Sequence, residues 1–229
     1  MKYIIGNWKM NGTADLLAKF ESLAADRVIL CIPFHLLNAK PNGLLIGAED
    51  CSAHENGAFT GEISAEMLAS TGAKYCIVGH SERRQYWNES NELVAKKAAR
   101  LLANKITPII CVGETREQKE AGKTISVINE QVSQSIPKDV EGEIIMAYEP
   151  VWGIGTGLVP TLEEIKKVHD YIAGMLKEMG REGTAILYGA SVKPANAREI
   201  MATENVGGVL VGGASLKPEE FKGIIDGRE

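Results

Sequence analysis

Glu143-Ile-Ile-Met-Ala-Tyr148 leads directly into Glu149-Pro150, then into Val151-Trp-Gly-Ile-Gly-Thr-Gly-Leu-Val-Pro160, and then into Thr161-Leu-Glu-Glu164. The first piece is an almost unbroken apolar run with little alternation, the pattern of a strand covered on both faces. Thr161 and Glu164 have the spacing of a capping box, which opens a helix. Ile165, Val168, Ile172, Leu176 and Met179 then recur at helical spacing and define one apolar face. The unit is strand, long loop, helix.

The same unit recurs along the chain. Apolar runs fall at Tyr3–Gly6, Arg27–Ile32, Leu44–Ala48, Tyr75–Val78, Ile106–Val112, Glu143–Tyr148, Ala185–Tyr188 and Gly208–Val211. Between them lie helical signals. Ser64 is an N-cap candidate, Asn91–Asn104 carries Leu93, Val94, Ala98, Leu101 and Leu102 on one face, and Pro194 and Pro218 stand where helices begin. Eight units in 229 residues give about 29 residues each. This predicts an α/β fold, a single (β/α)8 barrel domain over residues 1–229. A doubly wound open sheet is the alternative, but the GxGxxG turn expected after its first strand is missing. For a barrel of about 250 residues the chain is compact. The shortening is expected in scaffold helices, above all the first, Thr13–Ala25.

Lys plus Arg number 25 and Asp plus Glu 30, a net charge of −5, so no basic surface for nucleic acid is indicated. No stretch approaches the roughly 18 apolar residues of a membrane span, and Met1–Gly12 carries no basic leader or cleavage site. Cys31, Cys51, Cys76 and Cys111 form no CxxC pair, which argues against a zinc or dithiol site and for buried free thiols in a reducing, cytoplasmic setting.

In such a barrel, chemistry belongs at the C-terminal ends of the strands. Asn7 and Lys9 follow the first strand, where a lysine needs a partner or a surface. His80 follows the fourth. A lone histidine is more often structural, but Ser81 is a good N-cap, which places the ring near the positive end of a helix and favours neutral imidazole. Glu82, beside Arg83 and Arg84, fits a surface ion-pair cluster equally well. Glu149 ends the sixth strand, and a carboxylate there is costly to bury unless it is paired or in use. The loop from Val151 to Pro160 fits a lid that closes over a site. Gly189-Ala-Ser191 and Gly212-Gly-Ala-Ser215 follow strands seven and eight, the usual place for a phosphate cradle of backbone N–H groups. Base, imidazole, lysine and cradle together suit proton transfer next to a carbonyl on a small phosphorylated substrate.

The segments Gly6-Asn-Trp-Lys-Met-Asn-Gly12, Gly79-His-Ser-Glu-Arg-Arg84, Cys111-Val-Gly-Glu-Thr115, Tyr148-Glu-Pro-Val-Trp152, Ile154-Gly-Thr-Gly157, Tyr188-Gly-Ala-Ser191 and Val211-Gly-Gly-Ala-Ser215 resemble the triosephosphate isomerase family, in order and from end to end. The resemblance implies interconversion of dihydroxyacetone phosphate and D-glyceraldehyde 3-phosphate through an enediolate, in glycolysis and gluconeogenesis, without cofactor or metal. It implies Glu149 as the base, His80 as the neutral electrophile, Lys9 as the positive charge on the substrate and Asn7 as its orienting group. Gly155, Ser191, Gly212 and Gly213 match phosphate-gripping positions. Glu82 matches the carboxylate that engages the lysine, with Cys111 and Tyr188 as supporting residues. It further implies a homodimer. The long stretch Glu49–Ile63, which could otherwise be a flexible insertion, matches a loop that crosses to the second subunit and carries Thr60 to the neighbour's lysine. His35, His54 and His169 are left as structural or surface residues.

Four positions depart from the family's usual pattern. Leu158-Val-Pro160 replaces Lys-Val-Ala at the lid's far hinge, where proline fixes φ. Gly153 replaces alanine, which predicts a looser near half of the lid. Ala190 replaces a glycine. Ala173 replaces an arginine expected under the lid, which predicts that Glu114 lacks that partner. A barrel aldolase or phosphoribosyl isomerase would need a Schiff-base lysine or an aspartate pair, and neither is found. A non-catalytic phosphate-binding barrel would be expected to lose the base or the histidine, and both are present.

Overall fold

The computed structural model describes residues 1–39, 42–138 and 140–228. Eight strands close into a barrel in sequence order, β1 (Tyr3–Asn7), β2 (Val28–Cys31), β3 (Leu45–Ala48), β4 (Tyr75–Val78), β5 (Thr107–Val112), β6 (Ile145–Tyr148), β7 (Ala185–Tyr188) and β8 (Gly208–Val211). Every neighbouring pair is parallel, and β1 closes on β8 with Tyr3 opposite Gly208.

The apolar runs are continuous because both faces are covered, and the pleat divides them into two cores. Ile5, Ile29, Cys31, Ile77, Ile109, Cys111, Ile145, Ala147, Leu187 and Leu210 fill the barrel interior. Their alternates, among them Ile4, Leu30, Val78, Ile110, Met146, Tyr148, Tyr188 and Val209, pack outward against the helices. All four cysteines are buried and free.

The helices that cover the outer face are α1 (Ala14–Ala18), α2 (Ala65–Thr71), α3 (Ser81–Trp87), α4 (Asn91–Ala103), α5 (Arg116–Glu120), α6 (Thr124–Ser135), α7 (Leu162–Glu178), α8 (Pro194–Ala202) and α9 (Pro218–Asp226). Ser64 and Thr161 cap α2 and α7 as their spacing predicts, and Thr161 forms the full reciprocal box with Glu164. Pro194 and Pro218 are first residues of their helices. The first helix, α1, has five residues and gives way to a 3₁₀ turn at Glu21–Leu23. The described residues of the β2–β3 connection form a 3₁₀ turn at Phe34–Ala39. Among the described residues no helix is long and apolar enough to cross a membrane.

One position interrupts the apolar face of α4. Lys97 is buried there beside Val94, Ala98 and Leu101. It is tolerated because its Nζ lies 2.7 Å from Asp50 and 2.6 Å from Glu89, while Arg83 pairs with both acids.

Candidate active site

The interior parity of each strand continues one residue past its end and decides what faces the mouth of the barrel. After Ile5 comes Asn7, after Gly47 comes Glu49, and after Ala147 comes Glu149. After Ile77, Cys111, Leu187 and Leu210 come glycines at 79, 113, 189 and 212. Of these, Gly189 and Gly212 leave a hollow beside the polar residues, whereas a Cβ on Gly79 would meet Val94 and one on Gly113 would meet the Glu149 backbone. At Gly189 an added Cβ would sit 3.1 Å from the Glu149 side chain, so the space is already shared with the carboxylate.

That hollow is a cavity of about 300 Å³ lined by Asn7, Lys9, His80, Glu149, Gly155, Ser191, Gly212 and Gly213, among others. Strand parity and the following turns thus bring all of these sequence-predicted residues to one place. Lys9 takes the left-handed conformation, φ 55°, with its N–H on Asn7 Oδ1 at 3.1 Å. A non-glycine residue held there stores strain, a mark of functional sites. The turn sends the Lys9 side chain across the mouth, where its Nζ meets Glu82 at 2.6 Å. Its Cε packs against the face of Gly212, 3.9 Å from where a Cβ would be.

His80 differs from the sequence expectation in one respect. Ser81 was expected to cap the helix, but His80 itself is the N-cap of α3, and its Nδ1 accepts the Glu82 N–H at 3.2 Å. A ring whose Nδ1 accepts carries its proton on Nε2. That atom lies 3.1 Å from Glu149 Oε1. The backbone hydrogen bond made by the ring thus turns Nε2 toward the Glu149 carboxylate. Glu149 is buried, which by itself pushes its carboxyl pKa up. The adjoining His80 ring, the Ser81 N–H at 3.2 Å and the Lys9 charge reverse this and hold it below the usual glutamate value. Glu149 is thus held as a carboxylate. Burial, and after it the Glu149 charge, push the pKa of the Cys111 thiol well up.

The 151–160 loop begins with a 3₁₀ turn at Val151–Gly153. Trp152 Nε1 donates to Glu114 at 2.9 Å, the Tyr148 hydroxyl donates to the same oxygen at 3.3 Å, and Lys119 lies 3.5 Å over the indole ring. Burial raises the Glu114 pKa against these donors, and Glu114 Oε2 has no partner.

One expectation about departures needs correction. Ala173 does not stand under the lid. It lines a different cavity with Met1, Lys2, Asp170 and Asn205, because α7 runs away from the lid and residue 173 lies well along it. Gly153 is packed on both sides in this conformation. It is buried, its carbonyl accepts the Ser191 hydroxyl at 2.8 Å, and an added Cβ would stand 3.1 Å from the Leu158 carbonyl.

Tyr188 faces outward into the helix-facing core, and its buried hydroxyl has no partner. Thr60 is exposed at the tip of the Glu49–Ile63 loop, far from the cavity lining. The loop is folded, with Ser52 N–H on Ile63 O at 2.8 Å and His54 stacked on Phe59. His35 is exposed, and His169 is buried with Nδ1 against Asn205 O at 3.2 Å.

Glu49 escaped sequence reading. Burial pushes its pKa up to about 8, with the Glu82 charge adding to the effect, against the Lys9 N–H and charge. The step of two from Leu45 and Gly47 was the signal that could have revealed it. Among the described residues, no group of three or more His, Cys, Asp or Glu is placed to hold a metal.

Fold and site together define a barrel isomerase that works by acid–base chemistry. The model of the triosephosphate isomerase family matches residues 2–228. The chain is 48% identical over 238 residues to the triosephosphate isomerase of Hyphomonas neptunium, covering 96% of each. It is 45% identical over 243 residues to that of Phocaeicola vulgatus, covering 97% of each. The crystal structure of triosephosphate isomerase from Bartonella henselae superposes with a TM-score of 0.89 at 38% identity, covering 99% of this chain and 98% of that one. The chain belongs to the triosephosphate isomerase family.

Proposed function

We propose that the chain interconverts dihydroxyacetone phosphate and D-glyceraldehyde 3-phosphate, with Glu149 moving one proton between adjacent carbons. The observation that carries this reading is the bond between His80 Nε2 and Glu149 Oε1 at 3.1 Å, at the mouth of a cavity walled by Lys9, Ser191 and Gly212. The Gly212–Gly213 turn and Ser191 supply donors for the substrate phosphate, since the first N–H groups of a turn lack internal acceptors. Substrate carbonyl then takes the place of Glu149 in front of the His80 Nε2–H. Glu149 removes the proton next to that carbonyl, and the negative charge grows on an oxygen that already accepts from His80 and faces the Lys9 ammonium. The former carbonyl oxygen takes the proton from His80 Nε2, the ring recovers one from the neighbouring hydroxyl, and Glu149 returns its proton to the neighbouring carbon as the new carbonyl forms, which completes the exchange. Nothing is oxidised or reduced overall, so the balance requires no co-reactant. Closure of the 151–160 loop would keep water from an intermediate prone to losing phosphate.

A coupled assay on glyceraldehyde 3-phosphate tests the activity, and lack of turnover would remove the proposal. Glu149→Asp should lower turnover by orders of magnitude while leaving inhibition by inorganic phosphate nearly unchanged, because the carboxylate is drawn back and the cradle is untouched. Full turnover in that variant would remove Glu149 from its role.

The same reading includes a homodimer. Its support is a second cavity of about 250 Å³ beside Lys9, Glu82 and Trp87, open to solvent in the single chain. Around it Met10 is 97% exposed and Trp87 60% exposed, while Phe59 stands exposed on the loop with Thr60. The Thr60 tip of a second copy suits that opening. The four unpaired buried thiols support a reducing, cytoplasmic setting, and the proposed reaction would serve glycolysis and gluconeogenesis.

A further inference from the structure

Gly113 is the first residue beyond β5, and both of its backbone groups are held by one side chain. Its N–H donates to Gln131 Oε1 at 2.7 Å, and Gln131 Nε2 donates to its carbonyl at 3.1 Å. Gln131 belongs to α6, on the outside of the barrel. A carboxamide that engages the N–H and C=O of one residue acts as a one-residue strand partner. It fixes φ and ψ at that residue, where a glycine would otherwise rotate freely.

What Gly113 touches makes this consequential. A Cβ built on it would lie 1.7 Å from the Glu149 carbonyl oxygen and 2.6 Å from the carbonyl carbon. The two backbones are therefore in direct contact. On either side of that contact the Glu149 N–H donates to Val112 O at 2.8 Å and the Val151 N–H donates to Glu114 O at 3.1 Å. The segment from Val112 to Glu114 is thus the bed on which the base and the first lid residue rest. Behind it lies a cavity of about 440 Å³, lined by Gln131, Arg84, Ser81 and Trp152, which leaves that side without close packing.

We infer that Gln131 is a positioning residue for the isomerisation. By holding Gly113 it sets the backbone height of Glu149, and with it the reach of the carboxylate toward the substrate carbon. The inference rests on the proposed function.

The test compares wild type with Gln131→Glu and Gln131→Met in the coupled assay, with inorganic phosphate as competitor and thermal melts of each. Gln131→Glu keeps an acceptor for the Gly113 N–H and sets an oxygen against the Gly113 carbonyl. Gln131→Met keeps similar length and loses both bonds. The expected result is a fall in kcat on the order of ten- to hundredfold, since small displacements of a reacting group carry penalties of that size. KM and inhibition by phosphate should stay within about twofold, because the cradle stands on β7 and β8. Gly113→Ala should produce the same split by displacing Glu149 directly. Unchanged kcat, with or without a lower Tm, makes Gln131 a structural residue and overturns the inference. So does a parallel loss of phosphate binding. An inactive wild type removes both proposals, whereas an active wild type with unaltered variants removes the inference alone.

Discussion

Half-buried Glu49 and buried His169 illustrate how single groups set the pH response. Glu49 has one carboxyl oxygen sealed from water without a hydrogen-bond partner, and its pKa is raised to about 8 from 4.5. Between those values the folded chain holds a proton that the unfolded chain has released, so this group's contribution to stability falls as pH rises through that window. The buried His169 ring goes the other way. Burial lowers its pKa to about 4 from 6.5, against the Asn205 carbonyl. Its contribution is full above the unfolded value and is lost as pH falls toward the folded one. The two slopes oppose each other in mildly acidic solution, and only the Glu49 slope remains above about pH 6.5. Glu49→Gln should therefore raise Tm at pH 8 by an amount worth a few kcal/mol, and should flatten the decline from pH 6.5 to 8. Thermal melts across pH 5–9 would show this, and a Tm at pH 8 equal to wild type would refute it.

At the scale of elements, the unit from β6 through the lid to α7 joins chemistry to scaffold. Thr161 accepts from Glu164 N–H at 3.2 Å, and its own N–H donates to the Glu164 carboxylate at 2.8 Å. Thr161→Ala should cost about 1 kcal/mol, measurable as a lower denaturation midpoint with an unchanged slope. Pro160 stands directly before that cap, so the 151–160 loop joins an anchored helix. Here the sequence was informative: the capping box, the apolar face of α7 and the two prolines opening α8 and α9 are encoded within a few consecutive residues. What it could not show is that Gly153 is tightly packed, since the contact with Leu158 and the Ser191 bond depend on how the lid folds back.

At the scale of the whole molecule, the expectation is association. Exposed Met10, Phe34, Phe59, Met67, Tyr86 and Trp87 form an unusual share of large apolar side chains for a free surface. Light scattering across a dilution series should give twice the chain mass, and a persistent mass near 24.7 kDa would refute the dimer. Thr60→Arg should shift the protein toward monomer and lower its activity, because the loop tip would no longer fit beside Lys9 of a second copy.

Local order is what the sequence determined by itself. Eight apolar runs, helical periodicities and caps depend on neighbours along the chain, and they specify the barrel. Strand parity then carries Asn7 and Glu149 inward wherever the strands close. Contacts across the barrel belong to the tertiary structure. Lys9 meets Glu82, 73 residues away, only once β1 and β4 share one ring. Whether His80 or Ser81 caps α3 depends on the dihedral angles at one turn, and both residue types are able to accept. The distance of Ala173 from Glu114 depends on how far along α7 each turn lies from the lid. The Gln131 grip on Gly113 joins a helix on the outside to the base within. Local propensity cannot encode such a pairing, because neither partner's neighbours reveal where the other will be once the barrel has closed.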